Sequence, residues 1–139
     1  MPITDPELKA ITESFQQIAT TTFNDTTDKA AKTKVVKLLN EAMRNYTKEW
    51  RAESGLGCPE GWTSCPDGSC VPQGTACGGT MSFEAVNAYI ENAAEFYFAS
   101  ASTEALQVRT RELLQEALET FEAKFIAEVK ERAEVLTPN

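Results

Sequence analysis

The sequence predicts an all-α fold: an up-down four-helix bundle in which a disulfide-bonded, cysteine-rich loop joins the second and third helices. Apolar residues recur at helical spacing along four segments, and capping residues, Pro or Gly mark the segment ends. All four cysteines of the 139-residue chain fall in one stretch between the second and third segments. We predict a single helical domain over residues 1–139, because this length suffices for one buried core. No segment has the alternating pattern of a strand, so we predict no β-structure.

The first helix is predicted over residues 5–22. Asp5, Pro6 and Glu7 provide a capping carboxylate, a proline at the first helical position and an acid in the first turn. An apolar stripe at helical spacing follows, formed by Leu8, Ile11, Phe15 and Ile18. Polar side chains then compete for backbone hydrogen bonds over residues 24–26, so we expect the helix to end before them.

The second helix is predicted over residues 26–53, and the cysteine-rich loop follows over residues 54–80. The apolar stripe of this helix consists of Ala31, Val35, Leu38, Leu39, Ala42, Met43, Tyr46 and Trp50. Gly55 and Gly57 end the helix, because glycine readily adopts the left-handed conformation found at helix C-termini. We expect the loop to lie at one end of the bundle.

The third and fourth helices are predicted over residues 82–99 and 102–136. Ser82 and Ser102 are their expected caps, and Thr137-Pro138 ends the fourth helix. Short turns within each pair of helices favour antiparallel neighbours, which is the basis of the predicted up-down order. The second helix has a net positive and the fourth a net negative charge, so these two would be charge-complementary as antiparallel neighbours, which biases their pairing only weakly.

The four cysteines have the spacing C-x6-C-x4-C-x6-C, at Cys58, Cys65, Cys70 and Cys77. A C-x-x-C pair, which zinc sites and redox motifs use, is absent. An even number of cysteines in a loop rich in Gly, Pro and Ser predicts two disulfides, with metal ligands and reactive thiols as alternatives. Disulfides predict secretion or an oxidising lumen, for example the thylakoid lumen, and we expect that a targeting peptide preceded the mature chain.

This stretch resembles the first half of a low-density lipoprotein receptor class A module, over about 22 of 139 residues. The matching features are an aromatic before the second cysteine (Trp62, one position off), the turn Asp67-Gly68-Ser69 and the step Cys70-Val71-Pro72. The family's last two cysteines and its acidic calcium cage are missing, so no calcium site is implied. The resemblance implies the disulfide pairs Cys58–Cys70 and Cys65–Cys77.

Composition excludes several functions. The chain has no histidine, which removes Ser-His and Cys-His nucleophile pairs and His-ligated zinc or haem. A net charge of −8 repels phosphate backbones and anionic lipids, so we expect no nucleic-acid partner. No apolar run approaches the roughly 20 residues that span a bilayer, so direct membrane insertion is not expected. We expect no enzyme, no metal and no cofactor.

No Lys or Arg occurs between Ser54 and Val108, although this stretch carries six acids and several aromatics. We predict a partner-binding surface there, with Trp62 at the tip of the loop. Its candidate residues are Glu60, Trp62, Asp67, Glu84, Glu91, Glu95 and Phe96. The alternative is that Trp62 covers the core. Tyr89, Phe96, Tyr97 and Phe98 crowd one part of the third helix, so either two sides of this helix are covered or one aromatic is exposed.

The leading hypothesis is a non-enzymatic structural or docking protein of an oxidising compartment. It would attach to a basic patch on a larger complex, such as a membrane complex, through its acidic, disulfide-bonded end. One alternative is a secreted recognition module or effector that binds a receptor through the loop over residues 58–77; another is a carrier of an apolar ligand. At the level of fold alone, the bundle is similar to the small extrinsic lumenal subunits of photosystem II. Asn24 and Asn45 begin N-glycosylation sequons.

Overall fold

The computed structural model describes residues 4–130, in which four α-helices and a short β-hairpin are present. The helices are α1 (Pro6–Asp25), α2 (Lys29–Ser54), α3 (Phe83–Ser100) and α4 (Glu104–Phe125), and α4 continues as a π-helical turn, Ile126–Lys130. The mostly helical fold with four helices is therefore confirmed. The predicted continuation of the fourth helix to residue 136 lies outside the described residues. Within residues 4–130, none of the helices combines the length and apolarity needed to cross a bilayer.

Each helix begins at a side chain that accepts a hydrogen bond from the backbone N–H three residues further on. These N-caps are Asp5, Asp28, Ser82 and Thr103. The fourth cap is thus Thr103 and not the predicted Ser102. α1 also runs past its predicted end to Asp25, because Thr26 takes the C-cap position and its hydroxyl donates to the Thr22 carbonyl at 2.8 Å.

α2 and α4 are antiparallel neighbours. Trp50, near the end of α2, donates its indole N–H to the Thr110 hydroxyl at 2.8 Å, near the start of α4. Lys34, near the start of α2, forms a 3.0 Å ion pair with Glu128 beyond the end of α4. Exposed ion pairs of this kind contribute about 0–1 kcal/mol each, so buried apolar contact holds the pair together.

α2 and α3 run in the same direction, and the up-down order that we predicted from the sequence is therefore wrong. Asn40, in the middle of α2, hydrogen-bonds the backbone of Met81 just before α3. Further along α2, Tyr46 and Trp50 contact the ring of Tyr97 near the end of α3. The connection over residues 55–82 is long enough to return along the helices, so it forms a crossover and does not lie at one end.

A two-stranded antiparallel hairpin occurs in this crossover, where no β-structure is predicted from the sequence. Strand β1 (Trp62–Ser64) pairs with β2 (Cys70–Pro72), with Trp62 opposite Pro72 and Ser64 opposite Cys70. Strands of three residues are too short to show an alternating pattern. The turn that joins them was visible in the sequence, because Gly68 adopts φ +93° and an Asp-Gly pair favours such turns.

Both predicted disulfides are present. Cys58 pairs with Cys70 and Cys65 with Cys77, at Cα–Cα distances of 5.7 and 5.6 Å, and these are the pairs that the class A resemblance implies. Two disulfides in a chain of this size suggest an oxidising compartment, such as the extracellular space or an organelle lumen.

One continuous core joins the four helices and the hairpin. Its largest fully buried side chains are aromatic: Phe15, Tyr46, Trp50, Tyr89, Tyr97 and Phe121. The buried hydrogen bond between Trp50 and Thr110 lets an indole occupy this core without an unsatisfied donor.

We predict that Thr110→Val destabilises the protein by about 1–3 kcal/mol, because the buried Trp50 N–H loses its acceptor. Urea unfolding followed by circular dichroism measures the change. The matched control is Thr120→Val, at an exposed position of α4. Equal stability of the two variants would contradict this account of the Trp50 contact.

A second prediction concerns Asp5, which caps α1 and accepts a 3.0 Å hydrogen bond from Arg111 of α4. The Arg111 hydrogen bond is the main cause that lowers the pKa of Asp5 below its usual 3.8, although burial opposes it. A lowered pKa in the folded state stabilises the protein at neutral pH, and this contribution is lost as the pH falls through the folded pKa. Asp5→Ala should therefore cost about 1 kcal/mol or more at pH 7 and progressively less below about pH 4.

Urea unfolding at pH 7, 5 and 3 tests this prediction, with Glu13→Ala as the control at an exposed position of α1. A stability difference between wild type and Asp5→Ala that stays constant down to pH 3 would rule out a charged Asp5 as its source.

Candidate docking surface

The hairpin lies across the groove between α2 and α3 and is bonded to both helices. On the α2 side, the Cys70 N–H donates to the Thr47 hydroxyl at 3.2 Å. On the α3 side, the Tyr89 hydroxyl donates to the Cys70 carbonyl. Cys70 and Val71 are fully buried, so strand β2 is part of the core. These contacts fix the position of the rest of the hairpin.

The turn of the hairpin lies over α2, next to cationic side chains. Arg51 donates to the Gly68 and Ser69 carbonyls at 2.9 and 3.3 Å. Asp67 accepts from the Ser69 hydroxyl at 2.6 Å and from its N–H at 2.9 Å, and these hydrogen bonds are the main cause that lowers the pKa of Asp67. Lys48 lies beside this turn. Asp67, a predicted partner contact, is thus part of the turn and lies near the positive charge of α2.

Trp62 lies on the flank of the hairpin against α3, and not at the tip where we predicted it. Its indole stacks on Tyr89, with ring centroids 5.2 Å apart and planes at 27°, and meets the ring of Tyr97 edge-on at 6.3 Å. Tyr89 and Tyr97 are almost fully buried, while Trp62 is half-buried. Trp62 therefore covers two core tyrosines and also keeps part of its own surface in solvent.

Phe96 is the exposed member of the aromatic group on α3. Its side chain is 41% exposed, whereas Tyr97 is fully buried and Phe98 is partly buried. The Phe96 ring meets Trp62 at a centroid distance of 5.7 Å and an interplanar angle of 73°. Of the two outcomes that the sequence allows, an exposed aromatic is the one observed.

The acids of α3 lie along one side of the helix. Glu84, Glu91 and Glu95 are spaced at i, i+7 and i+11, which places them in one stripe. Glu84 and Glu91 are exposed and Glu95 is partly buried. Glu60 is exposed two residues before Trp62. Because α3 contains no Lys or Arg, its solvent face carries only negative charge.

Beneath this surface, aromatic contacts continue into the core. Tyr97 contacts Tyr46 at 5.7 Å and Trp50 at 4.6 Å between ring centroids. Burial is the main cause that raises the pKa of Tyr46, Tyr89 and Tyr97 well above the usual 10.0, so these phenols stay neutral at physiological pH. The sequence identified these residues as core positions but not their contact with Trp62, since that contact depends on the crossover.

The two sequon asparagines are both exposed. Asn24 lies in the last turn of α1, and Asn45 lies in the middle of α2. The sequon threonine Thr47 is buried and bonded to the hairpin at Cys70.

A shallow cavity of about 110 Å³ lies between α2 and α4, away from the hairpin. Its lining residues are Ala42, Asn45, Tyr46, Glu49, Leu113, Glu116, Ala117 and Thr120. Ligand pockets usually measure about 300–1,000 Å³, so this cavity gives no support for a lipid-sized apolar cargo. Within residues 4–130, no three His, Cys, Asp or Glu side chains gather as metal ligands would.

Comparison of the chain with protein-family models, with curated proteins and with solved structures finds no match. The interpretation of this surface therefore depends on its geometry and chemistry.

The two disulfides provide a matched test of how the hairpin is held. Both bridges have a sequence separation of 12, so their chain-entropy contributions to stability are equal, at about 3 kcal/mol each. Cys70 and Cys65 are both buried, but only the Cys58–Cys70 bridge packs in the central core, and Cys77 is exposed. Replacing Cys58 and Cys70 by Ala should therefore lower the free energy of unfolding by more than replacing Cys65 and Cys77 does, by about 1–2 kcal/mol.

Urea unfolding of the two double variants measures this difference, and the shift of Trp62 fluorescence reports on release of the hairpin. Equal losses of stability in the two variants would mean that burial of Cys70 adds nothing to the chain-entropy effect.

Proposed function

We propose that this protein is a non-enzymatic docking subunit of an oxidising compartment, which attaches to a basic surface on a larger protein. Its contact surface, here called the docking face, consists of Glu60, Trp62, Glu91, Glu95 and Phe96. The observation that carries the proposal is the contact of the half-buried ring of Trp62 with the exposed ring of Phe96, on a helix that has acids and no bases.

The docking face differs from the surface predicted from the sequence by two residues. Asp67 is left out because its carboxylate closes the hairpin turn and lies near cations of α2. Glu84 is left out because twelve residues of helix place it about 18 Å from Phe96. The acidic character proposed for the contact therefore belongs to α3 and not to the disulfide-bonded tip.

The aromatic pair has the properties of an interface hot spot. Tryptophan is enriched in hot spots, and rigid aromatics lose little conformational entropy when a partner covers them. Trp62 is already positioned by its stack on Tyr89 and by the disulfide-bonded hairpin. Folding therefore already fixes the Trp62 side chain, so this side chain loses little further conformational entropy when a partner binds.

The charge of α3 supports a basic partner. Three acids and no bases along this helix produce a negative potential that attracts cationic surfaces and speeds encounter. Salt screens such attraction, since the Debye length falls from about 10 Å at 0.1 M to about 4–5 Å at 0.5 M. Docking through this face should accordingly weaken with salt.

The composite nature of the face favours docking by the folded protein over recognition by an isolated loop. Trp62 comes from the hairpin, while Phe96 and the tyrosine beneath Trp62 come from α3. A loop grafted elsewhere would carry Trp62 without either contact.

We predict that Phe96→Ala weakens partner binding by about 5–30-fold, which corresponds to about 1–2 kcal/mol, because the partner would cover this exposed ring. The control is Ile126→Ala, since Ile126 is similarly exposed, at 47% against 41% for Phe96, and lies at the far end of α4. Both variants and wild type are immobilised and exposed to secretory or lumenal extract of the source cells. Bound proteins are quantified at 0.1 and 0.5 M NaCl.

The charge contribution is tested by Glu60→Gln with Glu91→Gln, against Glu119→Gln with Glu122→Gln on α4. Both pairs change the net charge equally, and all four positions are exposed. A partner that depends on Phe96, on the first glutamate pair and on low salt supports docking through this face. Equal capture by Phe96→Ala and Ile126→Ala, for every protein bound, would overturn it.

A further inference from the structure

The docking face contains two partly exposed rings that no cation among residues 4–130 covers. Elsewhere on the surface, the protein places its own cations over such rings: the Lys32 ammonium lies 4.0 Å from the centroid of Phe23, and the Arg111 guanidinium lies 5.7 Å from that of Phe98. Within residues 4–130 these are the cation–ring contacts, and neither involves Trp62 or Phe96. Among the described residues, the rings of Phe23 and Phe98 therefore each have a cation of this protein over them, whereas the rings of Trp62 and Phe96 do not.

Residues 4–130 supply no cation there for a structural reason. The hairpin and α3 belong to the stretch from Ser54 to Val108, which has no Lys or Arg. Of the bases on neighbouring helices, Arg51 and Lys48 of α2 lie at the hairpin turn, where Arg51 is bonded to backbone carbonyls, and Arg111 of α4 lies over Phe98. Within the described part of the chain, neither Trp62 nor Phe96 has a cation over its ring, so a partner can supply one.

The two rings form a corner that suits a planar cation. Tyr89 stacks on one face of the Trp62 indole, and Trp62 remains partly exposed. Phe96 stands at 73° to that plane and is 41% exposed. Perpendicular aromatic walls are the arrangement that binds organic cations through the negative faces of the rings.

We propose that the partner inserts an arginine side chain into this corner, with its guanidinium stacked on the exposed part of the Trp62 ring beside Phe96. This inference rests on the proposed docking function and names its contact chemistry. Arginine fits better than lysine, because a planar, weakly hydrated guanidinium stacks on an indole and also donates in pairs to carboxylates. Glu60, near Trp62 in sequence, and Glu91 on α3 are acids whose negative charge favours a cation at this face.

The test uses a minimal probe and does not require the partner. N-acetyl-arginine methylamide is titrated into ¹⁵N-labelled protein, and the indole N–H resonance of Trp62 is followed at constant ionic strength. The citrulline analogue has the same planar shape without the charge. Trp50 is the internal reference, because it is the only other tryptophan and is fully buried.

We expect a saturable shift of the Trp62 resonance with the arginine probe and no shift of Trp50. The apparent dissociation constant of the citrulline analogue should be about fivefold higher. Phe96→Leu keeps an apolar side chain but removes the ring, and it should abolish the preference for arginine over citrulline. Equal responses to arginine and citrulline would overturn the inference. An equal response to the lysine analogue would also overturn it, because the corner would then not select guanidinium.

This experiment and the capture experiment can fail separately. If arginine and citrulline bind alike while Phe96→Ala still loses a partner, the docking function stands and the arginine contact is wrong. If arginine is preferred at Trp62 but capture is independent of Phe96, the cation site is real and the docking function is overturned.

Discussion

Cys70 connects three parts of the molecule at one buried point. Its sulfur joins Cys58 at the start of the crossover, its N–H donates to Thr47 on α2, and its carbonyl accepts from Tyr89 on α3. Because a fully buried backbone unit must have its donor and acceptor satisfied, the hairpin cannot shift along the groove without losing these bonds. The contacts of Cys70 therefore help to hold α2 and α3 in their parallel arrangement, and they keep Trp62 stacked on Tyr89.

The helices and the disulfides were predictable from the sequence because their signals are local. Asp5, Ser82 and Gly55 mark helix ends by side-chain or backbone chemistry that needs no tertiary context. The helix directions were not predictable in this way. The short turns within each helix pair favour antiparallel neighbours, but the connection between α2 and α3 can either turn at one end or cross back, and only its contacts with Asn40 and Thr47 decide.

The candidate site also combines features that the sequence predicts with features that depend on tertiary contacts. The sequence identified Trp62 and Phe96 as unusual, and it found the segment without bases. It did not show that α2 brings Arg51 to the hairpin turn, nor that Asp67 bonds within that turn, since both contacts cross the fold or depend on turn geometry. The segment has no bases of its own, but the fold brings Arg51 of α2 to the hairpin turn and Arg111 of α4 to Phe98 of α3. Charge counted along a chain therefore predicts surface potential only where the neighbouring elements are known.

The crossover has a kinetic consequence as well. In a simple up-down bundle each helix packs on its sequence neighbour, and folding proceeds through contacts of short loop closure. Here α2 and α3 pack in parallel, and α2 also packs on α4, where Trp50 and Thr110 are 60 residues apart. Because folding rates fall as the mean sequence separation of contacts rises, this protein should fold more slowly than its helical content suggests. Early oxidation of Cys58 and Cys70 would shorten that search by holding the crossover in a compact loop before the helices meet.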